Sequence, residues 1–306
     1  MVVNISVIIP TFNRKEALDK CLKALACQDI AGEYEVIVID DGSTDGTAEL
    51  MQATRNNYPL SLQYYRQSNR GPAAARNYGI RKASGEILLF IGDDIIAGSP
   101  AFLHEHLSWH LDRYKEPEMA VLGYTTWSPE LEISPYMQWL ETGGAQFSYS
   151  SIGSGTFTDF RRFYTSNISL KRMFLGEDLF DEHFPYAAYE DNELGYRLAR
   201  RGLRIVHNRQ ALAYHYHPIK LVNYCKRAFL TGKSAVILSG IHPELTKRSS
   251  DPNWKRIMKR IMFNSVTMPF WLYIGQYCER RYKLPLLYST LYSHYFWEGF
   301  NQKIKE

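Results

Sequence analysis

Three pairs of adjacent acids could do chemistry: Asp40-Asp41, Asp93-Asp94 and Glu190-Asp191. The first two each close an aliphatic run, Glu35–Asp40 (EVIVID) and Glu86–Ile91 (EILLFI), beside a glycine. In an open parallel sheet, ligands bind beyond the carboxyl ends of the strands, so both pairs are expected to face one crevice. Carboxylates beside such a turn can hold a ribose, a base edge or a hard cation. Bare carboxylates repel phosphate, so a phosphate ligand there implies a bridging Mg2+ or Mn2+. One such pair alone reads as a solvated turn; two at equivalent strand ends point to a site. Glu190-Asp191 opens a helix, where the helix dipole favours negative charge. Spacing alone favours an ordinary helix start, and the functional alternative is a general base kept deprotonated by that dipole.

The elements that must position these acids alternate over the first hundred residues. Ser6–Pro10 is a short apolar run. Leu18, Cys21, Leu22 and Leu25 share one helical face. Glu35–Asp40 reads as a strand buried on both sides. Ser43 or Thr44 is the expected N-cap of a second helix. Leu60–Arg66 reads as a third strand, and Pro72 opens a helix through Ala83. Glu86–Ile91 is a fourth strand. This βαβαβαβ order predicts an α/β, doubly wound, mostly parallel sheet with helices on both faces. Residues 101–114, 220–240 and 254–300 read as helical, Met119–Tyr124 as a strand, and Tyr189–Arg201 as a helix stopped by Gly202. Residues 129–164 carry no decodable pattern.

Composition bounds the class. The 306 residues are 45% hydrophobic and 22% charged, which excludes wholesale disorder. Four scattered cysteines without a CxxC pair support neither a disulfide framework nor a structural zinc site, and they fit a reducing cytosol. The start MVVNISVIIP has no basic region of a signal peptide, and every apolar stretch is interrupted before spanning length. Charge is asymmetric: residues 1–219 sum to −6, residues 220–306 to +10. Lys255, Arg256, Lys259 and Arg260 recur at helical spacing opposite Ile257, Met258 and Ile261. The basic, aromatic-rich segment 254–300 therefore reads either as a helix packed on its own protein or as one lying on an anionic membrane surface. No nucleic-acid motif accompanies it.

Taken in order, Ser6–Arg14 (SVIIPTFNR), Val38–Asp45 (VIDDGSTD), Asn69–Asn77 (NRGPAAARN), Gly92-Asp93-Asp94, Tyr189–Glu193 (YEDNE) and Ala213–Pro218 (AYHYHP) resemble a family 2 glycosyltransferase of the GT-A fold, of the kind that builds bacterial polysaccharide and lipopolysaccharide. The resemblance covers residues 4–232. It implies a catalytic domain over 1–219, with a nucleotide-binding half (1–100) and an acceptor-binding half (101–219), followed by a helical region over 220–306. It also implies a metal-dependent, inverting transfer from a UDP- or dTDP-linked sugar to a hydroxyl of a glycan or lipid-linked acceptor. The expected location is the cytoplasm, peripheral on the inner face of the plasma membrane. A non-catalytic nucleotide-sugar or glycan-binding module is the alternative.

Carried over by position, the resemblance puts Pro10, Thr11 and Asn13 beside the nucleotide, Asp41 on the nucleobase and Asp40 in support. Arg70, Arg76 and Asn77 fall where the donor is contacted, and Arg76 is equally a structural ion-pair partner. Gly92 replaces the first acid of the Asp-x-Asp metal motif. Asp94 is then the direct ligand of Mg2+ or Mn2+, and Asp93 contacts the ribose, or the metal through water. His215 or His217 completes the metal or diphosphate site. Asp191 takes the place of the catalytic base, with Glu190 at the acceptor. Asn167 lies beneath the donor sugar, in a contacting or a backbone-bonding role.

Overall fold

The computed structural model describes residues 3–30, 33–57, 61–143, 146, 147, 149, 152–245, 264 and 266–302. The strands are β1 (Val3–Thr11), β2 (Glu33–Asp40), β3 (Leu62–Arg66), β4 (Ile87–Ile91), β5 (Ile95–Ala97), β6 (Met119–Trp127), β7 (Phe157–Thr158), β8 (Asn167–Lys171) and β9 (Arg204–His215). The first helices are α1 (Lys15–Ala26), α2 (Thr47–Asn57), α3 (Pro72–Lys82) and α4 (Phe102–Ser108), the last continuing as a π-helical turn, Trp109–Arg113. They are followed by α5 (Pro135–Thr142), α6 (Arg172–Leu175), α7 (Glu190–Arg200), α8 (Leu221–Ile241), α9 (Met268–Cys278) and α10 (Pro285–Asn301).

The expected doubly wound α/β architecture is present. All the strands join one sheet, ordered β3-β2-β1-β4-β8-β6-β9-β5, with β7 paired to β9. The half β3-β2-β1-β4 is parallel, and α1, α2 and α3 provide the crossovers that parallel strands require. In the other half β6 and β9 run parallel, while β8 is antiparallel to β4 and β6, and β5 is antiparallel to β9. Short β8 is thereby wedged beside β4 so that Asn167 pairs with Ile91, the residue before Gly92. The core is aliphatic: Val7, Ile9, Val36 and Val38 from the strands meet Leu18, Leu22 and Leu25 of α1 with no solvent exposure. Each such side chain contributes ~1.5–3 kcal/mol on burial.

Local chemistry corrects one helix start. Neither Ser43 nor Thr44 caps α2: the Gly46 carbonyl accepts the Leu50 N–H at 3.1 Å, and Asp45 Oδ1 accepts the Thr47 N–H at 3.2 Å in the turn before the helix. Ser43 and Thr44 are used elsewhere: Ser43 Oγ accepts the Asn13 N–H and Thr44 N–H donates to Asn13 Oδ1.

The chain forms two compact units, Met1–Leu131 with Tyr149–His217, and Glu132–Ser148 with Pro218–Glu306. The first holds the sheet. In the second, α5, α8, α9 and α10 carry the packing: Tyr136 of α5 meets the Tyr288 ring of α10 at 4.8 Å, and Gly275 of α9 lies against Leu221 and Leu291. Residues 132–143 thus pack with the helical C-terminal region. The basic segment 254–263 lies outside the described residues.

Candidate active site

The carboxyl ends of β1, β2 and β4 carry the first acid pairs, as strand polarity requires. Asp41 N–H donates to the Thr11 carbonyl at 2.9 Å, which joins the ends of β1 and β2. The Asp41 carboxylate organises the loop after β3. It accepts Gln67 Nε2 and the Arg70 N–H on Oδ1, and the Gly71 N–H on Oδ2. Gly71 is required there: its φ is +88°, and a Cβ would lie 3.0 Å from the Pro185 carbonyl. Asp40, fully buried, accepts the Ser43 N–H and the Tyr64 hydroxyl, and so braces the loop. Asn13 sits at φ +53°, a left-handed conformation that asparagine tolerates, and its side chain ties the end of β1 to residue 44. Pro10 pairs with Ile39 one residue before the strand end.

The second pair forms a tight cluster. Asp93 accepts the Thr11 hydroxyl at 2.8 Å. Arg14 Nη1 lies 3.2 Å from Asp93 Oδ1 and 2.5 Å from Asp94 Oδ2. The same Asp94 oxygen is 3.4 Å from His215 Nε2. Burial, then the Asp94 charge, pushes the Asp93 carboxyl up to about 7, with Arg14 and Thr11 opposing. Burial also works against ionised Asp94, but His215, Arg14 and His217 hold it below the usual carboxylate range. β5 places the histidine by pairing Ile95 with His215, and the Trp127 ring packs edge-on at 5.3 Å. The strand ends at His215, so His217 does not share its face through strand alternation; it is exposed, with its ring 6.2 Å from that of His215.

The third pair opens α7 behind Tyr189, which holds φ at +69°. Glu190 is buried and accepts Arg76 Nη1 at 2.8 Å. Of the two roles open to Arg76, the structure thus displays the ion pair. Asp191 accepts the Asn192 N–H. Burial first, and then the Glu190 charge, pushes its carboxyl up to about 7, opposed by Arg76 and by the backbone of Asn192 and Thr165. Burial and the Glu190 charge thus oppose the ionised form that a helix N-terminus favours.

Asn77, expected at the donor, turns inward, and Asn167 takes the backbone-bonding one of its two expected roles. Asn167 is fully buried: its Oδ1 meets His106 Nε2 at 2.9 Å and its Nδ2 donates to the Ala211 carbonyl at 3.0 Å. Asn77 donates to the Phe180 carbonyl and Glu182 and accepts the Phe180 N–H. Both side chains pin strands and loops rather than face a ligand. The exposed Arg70 guanidinium pairs with Glu182 at 2.6 Å. Arg14, Tyr64 and Gln67 hold the acid pairs although the site assignment from sequence omits them. Arg14 ends the first quoted motif, one residue beyond Asn13, and that adjacency was the available signal.

Among the described residues no three His, Cys, Asp or Glu side chains gather as a ready-made metal cluster. Asp94 and His215 nonetheless bring an oxygen and a nitrogen close enough to share one ion. Two protein donors of this type fit a Mg2+- or Mn2+-like cation that arrives with a diphosphate and keeps water ligands.

Known proteins resemble this chain in sequence and in fold. Residues 6–122 match the family model described as glycosyl transferase family 2. An uncharacterized glycosyltransferase of Bacillus subtilis, YfnE, is 29% identical over 70% of this chain and 65% of its own length. The validoxylamine A glucosyltransferase of Streptomyces hygroscopicus subsp. limoneus is 33% identical over 68% of this chain and 50% of its own. The chain thus spans about half to two thirds of the length of these relatives. In structure, a mannosyltransferase of Pyrobaculum calidifontis in complex with GDP-Man and Mn2+ superposes with a TM-score of 0.64 at 18% identity, over 98% of this chain and 86% of that one. That likeness shows a shared GT-A fold. With its strand-end acid loops inside the matched segment, this chain carries the glycosyl transferase family 2 domain on a GT-A fold.

Proposed function

We propose that this chain transfers a sugar from a UDP- or dTDP-linked donor to a hydroxyl of a glycan or lipid-linked acceptor, with inversion, in cell-surface polysaccharide or lipopolysaccharide synthesis. The observation that carries the reading is the position of Asp191, a half-buried carboxyl in the first turn of α7 beside Glu190, whose proton affinity is raised towards the range where a general base works best. Asp191 accepts the proton of the acceptor hydroxyl. The freed oxygen forms the new bond to the anomeric carbon as the bond to the diphosphate breaks, and the diphosphate leaves with the electron pair. One displacement inverts the centre. Glu190, held by Arg76, orients the acceptor side. Pro10, Thr11, Asn13 and Asp41 cradle the nucleoside with Asp40 behind them, and Asp93 and Arg70 stand towards the ribose and diphosphate. A divalent cation held by Asp94 and His215, with His217 near, would supply neutralisation of the leaving charge. Purified protein with a panel of nucleotide sugars and Mn2+ or Mg2+ tests this through nucleoside diphosphate release. Turnover of one donor, lost in Asp191→Asn, is the expected result. Binding without turnover, indifferent to Asp191→Asn, would favour a binding module.

A second reading concerns location. Phe270, Tyr273 and Tyr277 recur along one face of α9 and are 59%, 69% and 66% exposed. Exposed Arg280, Arg281 and Lys283 follow directly. Aromatic rings beside cations suit the interface of an anionic membrane. No helix among the described residues is long and apolar enough to cross a membrane. We infer peripheral association with the inner face of the plasma membrane. Flotation with anionic vesicles that weakens in salt is expected; no binding overturns the reading.

A further inference from the structure

Arg14 carries an unusual load for a surface arginine. It emerges from the end of β1 and its side chain is 42% exposed, yet one nitrogen reaches both Asp93 and Asp94, whose side chains are 6% and 10% exposed. The Asp94 oxygen it takes, Oδ2, is the oxygen that faces His215 Nε2 at 3.4 Å. A cation shared by Asp94 and His215 therefore needs the oxygen that the guanidinium already holds. The first position of the acid triplet is Gly92, and a Cβ there would come within 2.8 Å of Asp94 Oδ1. The cluster thus has two acids rather than three, and one arginine bonds both of them. Two cations on one carboxylate oxygen repel each other, so the guanidinium lowers the affinity of that oxygen for a divalent ion. A long, half-exposed side chain can leave at small cost, provided it finds another anion. The diphosphate of a donor is such an anion, and guanidinium suits phosphate oxygens well.

We propose that Arg14 is the resident counter-ion of Asp93 and Asp94 and competes with a divalent cation for Asp94 Oδ2, so that cation binding is weak until a nucleoside diphosphate draws the guanidinium away. Arg14 thereby couples cation and donor binding, and by linkage each ligand tightens the other. The inference rests on the reading of Asp94 and His215 as the cation-holding pair.

The test measures Mn2+ binding directly, by the loss of the free-ion electron paramagnetic resonance signal, without turnover. Wild type, Arg14→Gln and Arg14→Lys are titrated with Mn2+ alone and then with UDP present, each variant being checked by its melting curve. Arg14→Gln should bind Mn2+ alone about tenfold more tightly than wild type, a coupling of ordinary size. UDP should tighten Mn2+ binding in wild type and do so far less in Arg14→Gln. Arg14→Lys, which keeps a cation on a shorter and more weakly chelating head, should fall between the two. Equal or weaker Mn2+ binding by folded Arg14→Gln overturns the proposal, as does the absence of Mn2+ binding in every protein with or without UDP. Adding Asp94→Asn to Arg14→Gln should remove the binding. Mn2+ that still binds lies elsewhere, which overturns the cation-site reading and the competition with it. The arm with Mn2+ alone needs no donor, so it stays decisive even if the donor panel is silent.

Discussion

Two acid pairs in this chain each lean on one arginine, and the two arrangements differ in a way that assigns them different work. Arg14 is half in solvent and touches both members of Asp93-Asp94. Arg76 has a side chain only 9% exposed and bonds one member of its pair, Glu190, through Nη1. Its Nε and Glu190 Oε2 are buried without a hydrogen-bond partner. An exposed guanidinium can exchange its anions, whereas a buried one is a fixed counter-ion whose removal strands a charge. In both pairs one acid is pushed up to about 7, by burial first and then by the charge of the neighbouring carboxylate. The first pair is thus suited to exchanging cations, and the second to moving a proton.

The contrast breaks if Asp191 is dispensable. Asp191→Asn should lower the rate of transfer by ~10²–10⁴-fold, the usual contribution of a general base, while the fold survives. Single-turnover assays on the donor found by the panel measure this. Arg76→Met should destabilise the protein by about 3–5 kcal/mol, because Glu190 is left buried and unpaired. Chemical denaturation would read this as a lower midpoint. A loss below about 1 kcal/mol would make the Arg76 pair no different from a surface one.

The pH profile sharpens the comparison further. Asp191 must be ionised to accept a proton, so kcat/KM should rise with pH through about 7. Glu190 is the charge that lifts Asp191, so Glu190→Gln should move that rise to lower pH. A rise that stays in place in the variant would mean that burial alone sets the proton affinity. The smallest effect is expected at Arg14. Arg14→Gln should lower stability less than Arg76→Met does, because the Arg14 side of its pair is open to solvent and Asp93 can take up a proton, and a melting curve checks it.

Much of the scaffold was legible from the chain. EVIVID and EILLFI read as buried strands, and Leu18, Cys21, Leu22 and Leu25 line the buried face of α1 as their spacing requires. The antiparallel insertion of β8 was not legible. Asn167–Lys171 is five residues long, and its partner β4 lies far back in the sequence, so no local period announces the pairing. Asn77 and Asn167 illustrate the same limit: both sit in recognisable motifs, and only packing against Phe180, Glu182 and His106 turned their amides inward.

The sequence by itself determined where the acids fall: strand runs end at Asp40 and Ile91, a helix begins at Glu190, and these are consequences of local hydrophobic pattern and backbone polarity. Tertiary structure alone decided which arginine meets which acid and which acid keeps its proton. The Arg14–Asp94 contact joins residues 80 apart and the Arg76–Glu190 contact residues 114 apart. Proton affinity follows from burial and from the charges brought within reach, and both exist only once the sheet has assembled.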